Sequence, residues 1–183
     1  MNKQKYLILI LMIFGILQTG FSAPSDIEII KKRVVETLMK PTVDDSEIGE
    51  LINTFNDDGT WQGIDYKDVS REGFQNRIHL VNMVDLARTY KTKSSKYFKS
   101  KKVKSVVESA LKNWVDNDYF CENWHPNQIG TTGNLVSVML IMGDELSKDL
   151  VDKAQPIIGR ANLNASGARP SGDRIKIAGI LAK

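Results

Sequence analysis

Apolar residues recur every three or four positions along most of the chain, which is the spacing of one face of an α-helix. The clearest example spans residues 102–115, where charged, serine and asparagine side chains separate the apolar ones. This pattern predicts an amphipathic helix with Trp114 on its buried face. Residues 134–142 are apolar on almost every side, which predicts a helix enclosed by its neighbours. The apolar positions of the first of these helices are Val103, Val106, Val107, Ala110, Leu111, Trp114 and Val115.

Five further helices follow from weaker patterns. Ser25 and Glu28 have the spacing of a capping box at the start of the first, and Pro156 is expected to bend or shorten the helix that contains it. The segments are 24–40, 45–55, 74–90, 144–160 and 171–183. The stripes expected to face the core are Ile27, Ile30, Val34 and Leu38; Ile78, Val81, Val84 and Ala87; and Leu146, Leu150, Ala154 and Ile157.

The connections between these segments carry turn residues and no convincing pair of strands. Gly59 favours a turn that is expected to deliver Trp61 to the surface or to a groove. The predicted fold class is therefore all-α, with seven helices arranged as a bundle or ring.

Residues 1–23 have the features of a secretory signal peptide. Two lysines precede an apolar stretch at residues 6–17, and small residues follow it. The stretch is too short to span a bilayer comfortably, and neither a stop-transfer pattern nor a cysteine for a lipid anchor follows. We therefore expect a secreted or periplasmic protein of residues 24–183 that is not attached to a membrane.

The last helical pattern continues to Lys183 without a glycine cap, a proline stop or a polar tail. Nothing before it indicates that the packing scheme has closed, and an odd helix lacks a packing partner. These features favour a truncated chain over a natural end.

Composition and charge exclude several classes of function. The formal charge is +3, and it falls to +1 when the two lysines of the signal peptide are removed, so nucleic acid is not an expected partner. Cys121 is the only cysteine, and it cannot form an internal disulfide. The chain has no glycine-rich nucleotide fingerprint, so we expect no cofactor, and we expect a monomer.

Charge is unevenly distributed along the chain. Residues 91–104 contain seven lysines and no acid, whereas residues 44–58 contain six acids and no base. Charge runs of this kind are usually solvated surfaces, which is the interpretation we favour for the lysines. The alternative is that the lysine run attracts an anionic polymer over a long range.

The most distinctive short segment is "NWHPNQ", which starts at Asn123. Pro126 prevents its first residues from lying in a helix interior. An aromatic ring can pack on the C–H face of a sugar while neighbouring amides bind its hydroxyl groups, so the segment suggests a saccharide site. Packing of the tryptophan in the core is the rival interpretation. The proposed binding residues here are Asn123, Trp124, His125, Asn127 and Gln128.

Two other kinds of site are weaker alternatives for the same segment. Cys121, His125 and His79 contain zinc-ligand atoms but lack a recognised spacing, so we expect no metal. A nucleophilic pair of Cys121 and His125 would need facing side chains and an orienting group, which the spacing does not supply.

A second candidate site lies before the last helix. Arg169 and Arg174 flank the expected helix start, where the unpaired N–H groups favour an anion. Ser171 or Asp173 is expected to cap the helix. The alternative is that the arginines pair with nearby acids such as Asp173.

The order of motifs resembles the N-terminal helical domain of the family 8 polysaccharide lyases, which include chondroitin and hyaluronan lyases. The motifs are "LMKP", "DDGTWQGIDYKD", "NWHPNQIGTT" and "SGARPSGDRIKIAG", and Asn123, Trp124, Asn127 and Ile129 form the most specific part. The resemblance implies an incomplete α/α toroid of helical hairpins, whose cleft holds an acidic glycosaminoglycan such as chondroitin sulfate or hyaluronan.

The resemblance also implies a reaction. Such lyases neutralise a uronate carboxylate, remove the C5 proton and eliminate the 4-linked sugar, using Asn, His, Tyr and Arg side chains and no cofactor. Arg169 stands where the family has its carboxylate-neutralising Asn, and the family's His, Tyr and further Arg lie downstream of the residues matched here. We therefore expect a chain that supplies part of a binding cleft and no catalytic residue. A secreted, non-catalytic helical carbohydrate-binding module is the alternative.

Overall fold

The computed structural model describes residues 25–165 and 167–183, so the predicted signal peptide lies outside the described residues. Within them, the chain forms seven α-helices, and the only β-pairing is an isolated bridge between Phe55 and Trp61. The helices are α1 (Asp26–Leu38), α2 (Asp45–Asn53), α3 (Asn76–Lys91), α4 (Lys101–Asn117), α5 (Thr131–Met142), α6 (Lys148–Ile158) and α7 (Asp173–Leu181). No helix in this part of the chain has the length and apolar composition needed to cross a bilayer.

The N-terminal capping box of α1 is confirmed, because the Ser25 N–H donates to the Glu28 carboxylate over 2.7 Å and the Glu28 N–H donates to the Ser25 hydroxyl. The apolar stripe predicted for this helix is only partly correct, since none of its residues is fully buried and Val34 and Leu38 are half-buried. Ile27 and Ile30 are exposed, whereas Leu38, in the last turn, packs partly against the core of residues 31–183.

Helices α3 to α6 form antiparallel hairpins around one hydrophobic core. Helix α5 packs against α3, α6 and α7, which confirms that its all-round apolar sequence reflects enclosure. Helix α4 presents the predicted stripe to the core, and Trp114 is completely buried. A smaller cluster, around Ile177 of α7 and Ile129, packs beside the main core.

The stripe predicted for α3 is only half correct. Val84 and Ala87 are buried, but Ile78 and Val81 are 43% and 47% exposed. The helix is rotated relative to the prediction because it buries a wider face that includes His79, whose ring is fully paired inside the core. A histidine counts as polar in a hydrophobic pattern, so its burial was not visible to that pattern.

Trp61 is buried and does not lie at the surface or in a groove, so that prediction is wrong. Its ring N–H donates to the Leu51 carbonyl over 2.9 Å, and its ring lies edge-on to Phe55 and His79. Pro156 lies in the last turn of α6, which ends two residues later and so is shorter than the predicted segment.

The alternating helix directions place the connections at two opposite ends of the hairpins. One end, here called the tryptophan end, gathers residues 54–75, 118–130, 159–165 and 167–172. The other, here called the lysine end, gathers residues 92–100 and 143–147 together with the adjoining helix turns. Contacts across each end support this division: the Glu122 N–H donates to the Val69 carbonyl at the first, and Lys91 and Lys104 pair with Glu145 at the second.

Candidate functional site

The segment from Asp118 to Gly130 is a loop held by its own amide side chains. Asn127 is buried, and its amide accepts from the Cys121 N–H at 3.1 Å and donates to the Cys121 carbonyl at 2.8 Å. Pro126 begins a short π-helical turn, Pro126–Gly130, that leads into α5. Both ends of the Asn127 amide are thus engaged by the backbone, which fixes the path of the loop.

Asn123 has a similar role at the surface. Its amide nitrogen donates to the Arg71 carbonyl over 3.1 Å, and its oxygen accepts from the His125 N–H over 3.1 Å. The first bond ties the loop to the neighbouring connection, and the second turns the chain between Trp124 and His125. The two rings project from a backbone whose polar groups are largely satisfied.

Trp124 is half-buried and packs partly on the smaller hydrophobic cluster. Its ring centroid lies 5.5 Å from that of His125, with the planes inclined by 74°. One side of the indole borders a cleft of about 530 Å³. The other residues lining this cleft are Phe120, Cys121, Glu122, Asn127, Gln128 and Arg160.

The wall of the cleft combines an aromatic ring with a paired cation. Arg160 forms a two-pronged ion pair with Asp118, and its guanidinium lies 5.4 Å from the centre of the Phe120 ring. Phe120 is 55% exposed. The buried Gln128 side-chain oxygen has no hydrogen-bond partner among the described residues. The cleft therefore offers aromatic surface and hydrogen-bonding groups; of its charged lining residues, Arg160 is paired with Asp118 and Glu122 is exposed.

Asp173 links the two segments that were singled out from the sequence. Its carboxylate is almost fully buried and accepts from the Arg169 backbone N–H and from Arg169 Nε, each at 3.1 Å. His125 Nε2 lies 4.0 Å from the same carboxylate. These hydrogen bonds with Arg169 hold the pKa of Asp173 below its usual value. Asp173 is therefore an anion that holds Arg169 beside the Trp124–His125 pair.

The predicted capping of α7 is wrong. The helix begins at Asp173 itself, Gly172 precedes it, and no side chain caps its first turn. The carboxylate of Asp173 is instead engaged by Arg169, so the pairing considered as an alternative is confirmed for Arg169, and the described residues show no such ion pair for Arg174. The Arg169 side chain remains 77% exposed, which leaves one face of the guanidinium open to solvent.

A second, mostly apolar groove of about 390 Å³ is lined by His125, which does not line the first cleft. Ile78 and Val81 of α3, the residues wrongly predicted to be buried, lie along it, and Arg77 and Asn134 supply polar atoms. Trp124 and His125 thus separate two depressions on the surface of residues 31–183.

His79 lies below the tryptophan end and is fully engaged. The Ala110 carbonyl can only accept, so His79 Nε2–H donates to it at 3.0 Å and the neutral ring accepts at Nδ1 from the Tyr66 hydroxyl at 2.9 Å; that hydroxyl in turn accepts from the Trp61 N–H. Burial lowers the pKa of His79 to about 4. In the described part of the chain, no group of three or more His, Cys, Asp or Glu side chains could hold a metal ion.

Comparison with known proteins decides the family. The family described as "Polysaccharide lyase family 8, N terminal alpha-helical domain" matches residues 31–167, which is most of the chain. The chain belongs to polysaccharide lyase family 8. The match includes the Trp124 loop and Gly167, and it ends before Arg169 and Asp173.

Two matches to individual proteins are informative. Chondroitinase-AC of Pedobacter heparinus is 32% identical over 116 residues, which are 63% of this chain and 17% of that protein. A solved structure that reveals the active site of chondroitinase AC lyase through enzyme–oligosaccharide complexes and mutagenesis matches with a TM-score of 0.77 and 27% identity. That match covers 85% of this chain and 23% of the other. The chain thus spans about a fifth of the length of these relatives.

The family 8 comparison also confirms the predicted fold class, an all-α incomplete toroid of helical hairpins. Sequence reasoning found the Trp124 loop but missed Gly167, Phe120 and Arg160 as parts of its surroundings. Gly167 and Arg160 are distant in sequence from the loop, and only the fold brings them to it. Phe120 is close in sequence, but a lone exposed phenylalanine gives no signal of a site.

Proposed function

We propose that this chain is the N-terminal part of a secreted glycosaminoglycan lyase of the chondroitin type and supplies part of its carbohydrate-binding cleft. Residues 1–23 are its signal peptide, and residues 24–183 are its helical portion. The complete enzyme acts by β-elimination at uronic acids, without a cofactor. A base removes the C5 proton, the electrons form the C4–C5 double bond, and the bond to the 4-linked sugar breaks as its oxygen is protonated.

One observation carries the proposal: the half-buried indole of Trp124 borders an open cleft while the loop below it is pinned by Asn123 and Asn127. A ring that is fixed before the ligand arrives loses little conformational entropy on binding. Sugar rings present C–H faces to such aromatic surfaces, and their hydroxyl groups reach the polar rim.

The six proposed binding residues divide into two groups. Trp124, His125, Gln128 and Arg169 present side chains to the ligand. Asn123 and Asn127 act through the loop, because both ends of each amide are already bonded to protein atoms.

Arg169 is proposed to recognise the acidic group of the sugar. Asp173 occupies one side of its guanidinium, so the pair carries little net charge, but the exposed N–H groups remain available to a carboxylate or sulfate. A guanidinium held in this way offers directional hydrogen bonds, which the long lysine stems at the other end of the hairpins do not.

A binding measurement tests the proposal that this chain supplies part of a carbohydrate-binding cleft. A chondroitin tetrasaccharide should quench or shift the fluorescence of the 24–183 chain, and a neutral oligosaccharide of the same length should bind more weakly. Equal binding of both oligosaccharides would favour the alternative of a carbohydrate-binding module without a preference for uronic acids.

An activity assay tests the proposal that the catalytic base lies outside the 24–183 chain. Elimination creates an unsaturated product that absorbs in the ultraviolet, so incubation of the 24–183 chain with chondroitin sulfate or hyaluronan should give no increase in absorbance. The product of the whole open reading frame that contains this chain should give an increase. A robust increase with the 24–183 chain alone would contradict the proposal that the base lies elsewhere.

A further inference from the structure

Gly167 lies unusually close to the edge of the Trp124 indole. A Cβ atom built on Gly167 would lie 2.1 Å from Trp124 Nε1, 2.5 Å from Cε2 and 2.8 Å from Cδ1. These distances are shorter than those that real Cβ atoms show, so any other residue at position 167 would force the ring or the backbone to move. The Trp124 ring therefore restricts position 167 to glycine.

The backbone on the Gly167 side has little freedom to retreat. Ala165 and Ala168 are buried in the smaller hydrophobic cluster, and the Ala168 N–H donates to the Ala165 carbonyl over 2.9 Å. The indole, in contrast, lines the open cleft. A side chain at position 167 would therefore displace the ring towards the cleft.

The same two connections are joined at a second point. Arg160 and Asp118 form a two-pronged ion pair across them, which fixes their spacing independently of the indole. The connection that contains Gly167 thus acts as a fixed surface behind Trp124, and glycine allows the ring to lie directly against it.

We propose that Gly167 is a positioning residue that sets the plane of the Trp124 ring for stacking on a sugar of the substrate. The inference rests on the proposed function, since it assigns the role of Gly167 through the sugar-stacking role of Trp124. It concerns a residue that does not itself need to touch the ligand.

The primary test is Gly167→Ala, with Gly172→Ala as the matched control. A Cβ at Gly172 would meet no atom within 4 Å, although Gly172 belongs to the same connection. Gly167→Ala should weaken binding of a chondroitin tetrasaccharide about tenfold and change the near-ultraviolet circular dichroism, while the far-ultraviolet spectrum is retained. Gly172→Ala should bind as the unchanged chain does. Unchanged affinity and an unchanged near-ultraviolet spectrum in Gly167→Ala would overturn the inference.

A double-mutant cycle separates positioning from general damage. In a Trp124→Ala background, Gly167→Ala should cause no further loss of affinity, because the ring it displaces is absent. An equal additional loss would show that Gly167 acts through the connection and not through Trp124. If Gly167→Ala does not fold, Trp124→Phe combined with Gly167→Ala provides the test, since the smaller ring should restore folding and part of the binding; no restoration would overturn the inference.

Failure of the proposed function would look different. If Trp124→Ala binds the tetrasaccharide as well as the unchanged chain does, the sugar-stacking role is wrong. The spectroscopic change in Gly167→Ala would still report the contact between Gly167 and the indole.

Discussion

The two ends of the helical hairpins differ in how their polar groups are used. At the tryptophan end, the amides of Asn123 and Asn127 bond to the backbone and Asp173 holds Arg169, so the half-buried rings of Trp124 and His125 project from a fixed backbone. At the lysine end, Lys101 and Lys102 are exposed on long flexible stems, although this end has the densest charge in the sequence. Charge density therefore indicates where a polyanion is attracted, whereas internally satisfied polar groups indicate where a ligand is held in one orientation.

The lysine end is also less positive than its sequence suggests. Glu145 lies within 4 Å of both Lys91 and Lys104, and the Lys96 N–H donates to the carboxylate of Asp45. Asp45, near the start of the acidic run, thus lies against the lysine run in the fold. This arrangement supports the solvated-surface interpretation of the lysines.

The largest expected effects are on stability for Trp114 and on binding for Trp124. Trp114→Ala should lower the free energy of unfolding by about 3–5 kcal/mol, because the ring is completely buried. Trp124→Ala should cost less stability but weaken tetrasaccharide binding about 30-fold, as expected for the loss of an aromatic anchor. Chemical denaturation and calorimetric titration measure the two quantities. A loss of stability in Trp124→Ala as large as in Trp114→Ala would show that this ring is a core residue.

The next largest effect is the pH dependence of stability that arises from the buried His79 ring below the tryptophan end. The folded pKa of His79, about 4, is lower than that of an unfolded histidine. Between these values the unfolded chain binds more protons, so stability is fully present above about pH 6.5 and is lost as the pH falls. Denaturation at pH 7 and pH 5 should differ by about 2 kcal/mol from this group.

His79→Gln is the control for that measurement. It removes the titrating ring, so the slope of unfolding free energy between pH 7 and pH 5 should flatten even though the variant is less stable overall. An unchanged slope would assign the pH dependence to other groups.

A smaller effect is expected from the ion pair of Arg169 and Asp173. Asp173→Asn should release the Arg169 guanidinium from its orientation and reduce the preference for the acidic tetrasaccharide over a neutral one. Arg169→Gln should reduce the same preference. A reduction by Arg169→Gln with none by Asp173→Asn would show that Arg169 does not need its partner.

The smallest effect belongs to the lysine end. A variant with Lys99, Lys101 and Lys102 changed to Gln should bind the tetrasaccharide normally at moderate salt and slightly more weakly at low salt, because exposed charges are screened beyond about 8 Å at physiological ionic strength. Arg169→Gln should lose affinity at both salt concentrations. A loss confined to the lysine variant would remove Arg169 from the site.

The sequence predicted the parts of the fold that depend on strong local patterns. Six of the seven apolar positions predicted for α4 are buried, and the all-round apolar sequence of α5 correctly predicted that its neighbours enclose it. The pattern missed the burial of Trp61 and the rotation of α3. Both involve His79, a polar residue whose ring can be buried because its two nitrogens are hydrogen-bonded.

The candidate site was only partly visible in the sequence for a related reason. The Trp124 loop is one continuous segment, so its aromatic and amide residues could be read together. The contact of Gly167 with the indole and the place of Asp173 beside His125 join segments about 40 or more positions apart, and only the packing of α7 against the π-helical turn brings them together.

We propose that a glycosaminoglycan binds at the tryptophan end and not at the lysine end. Amide chemical-shift mapping of the 24–183 chain during titration with a chondroitin tetrasaccharide tests this directly. The largest shifts should fall in residues 118–130 and 167–173 and include the Trp124 ring N–H, with small, salt-sensitive shifts in residues 91–104. The largest shifts in residues 91–104, with an unperturbed Trp124 ring N–H, would contradict it.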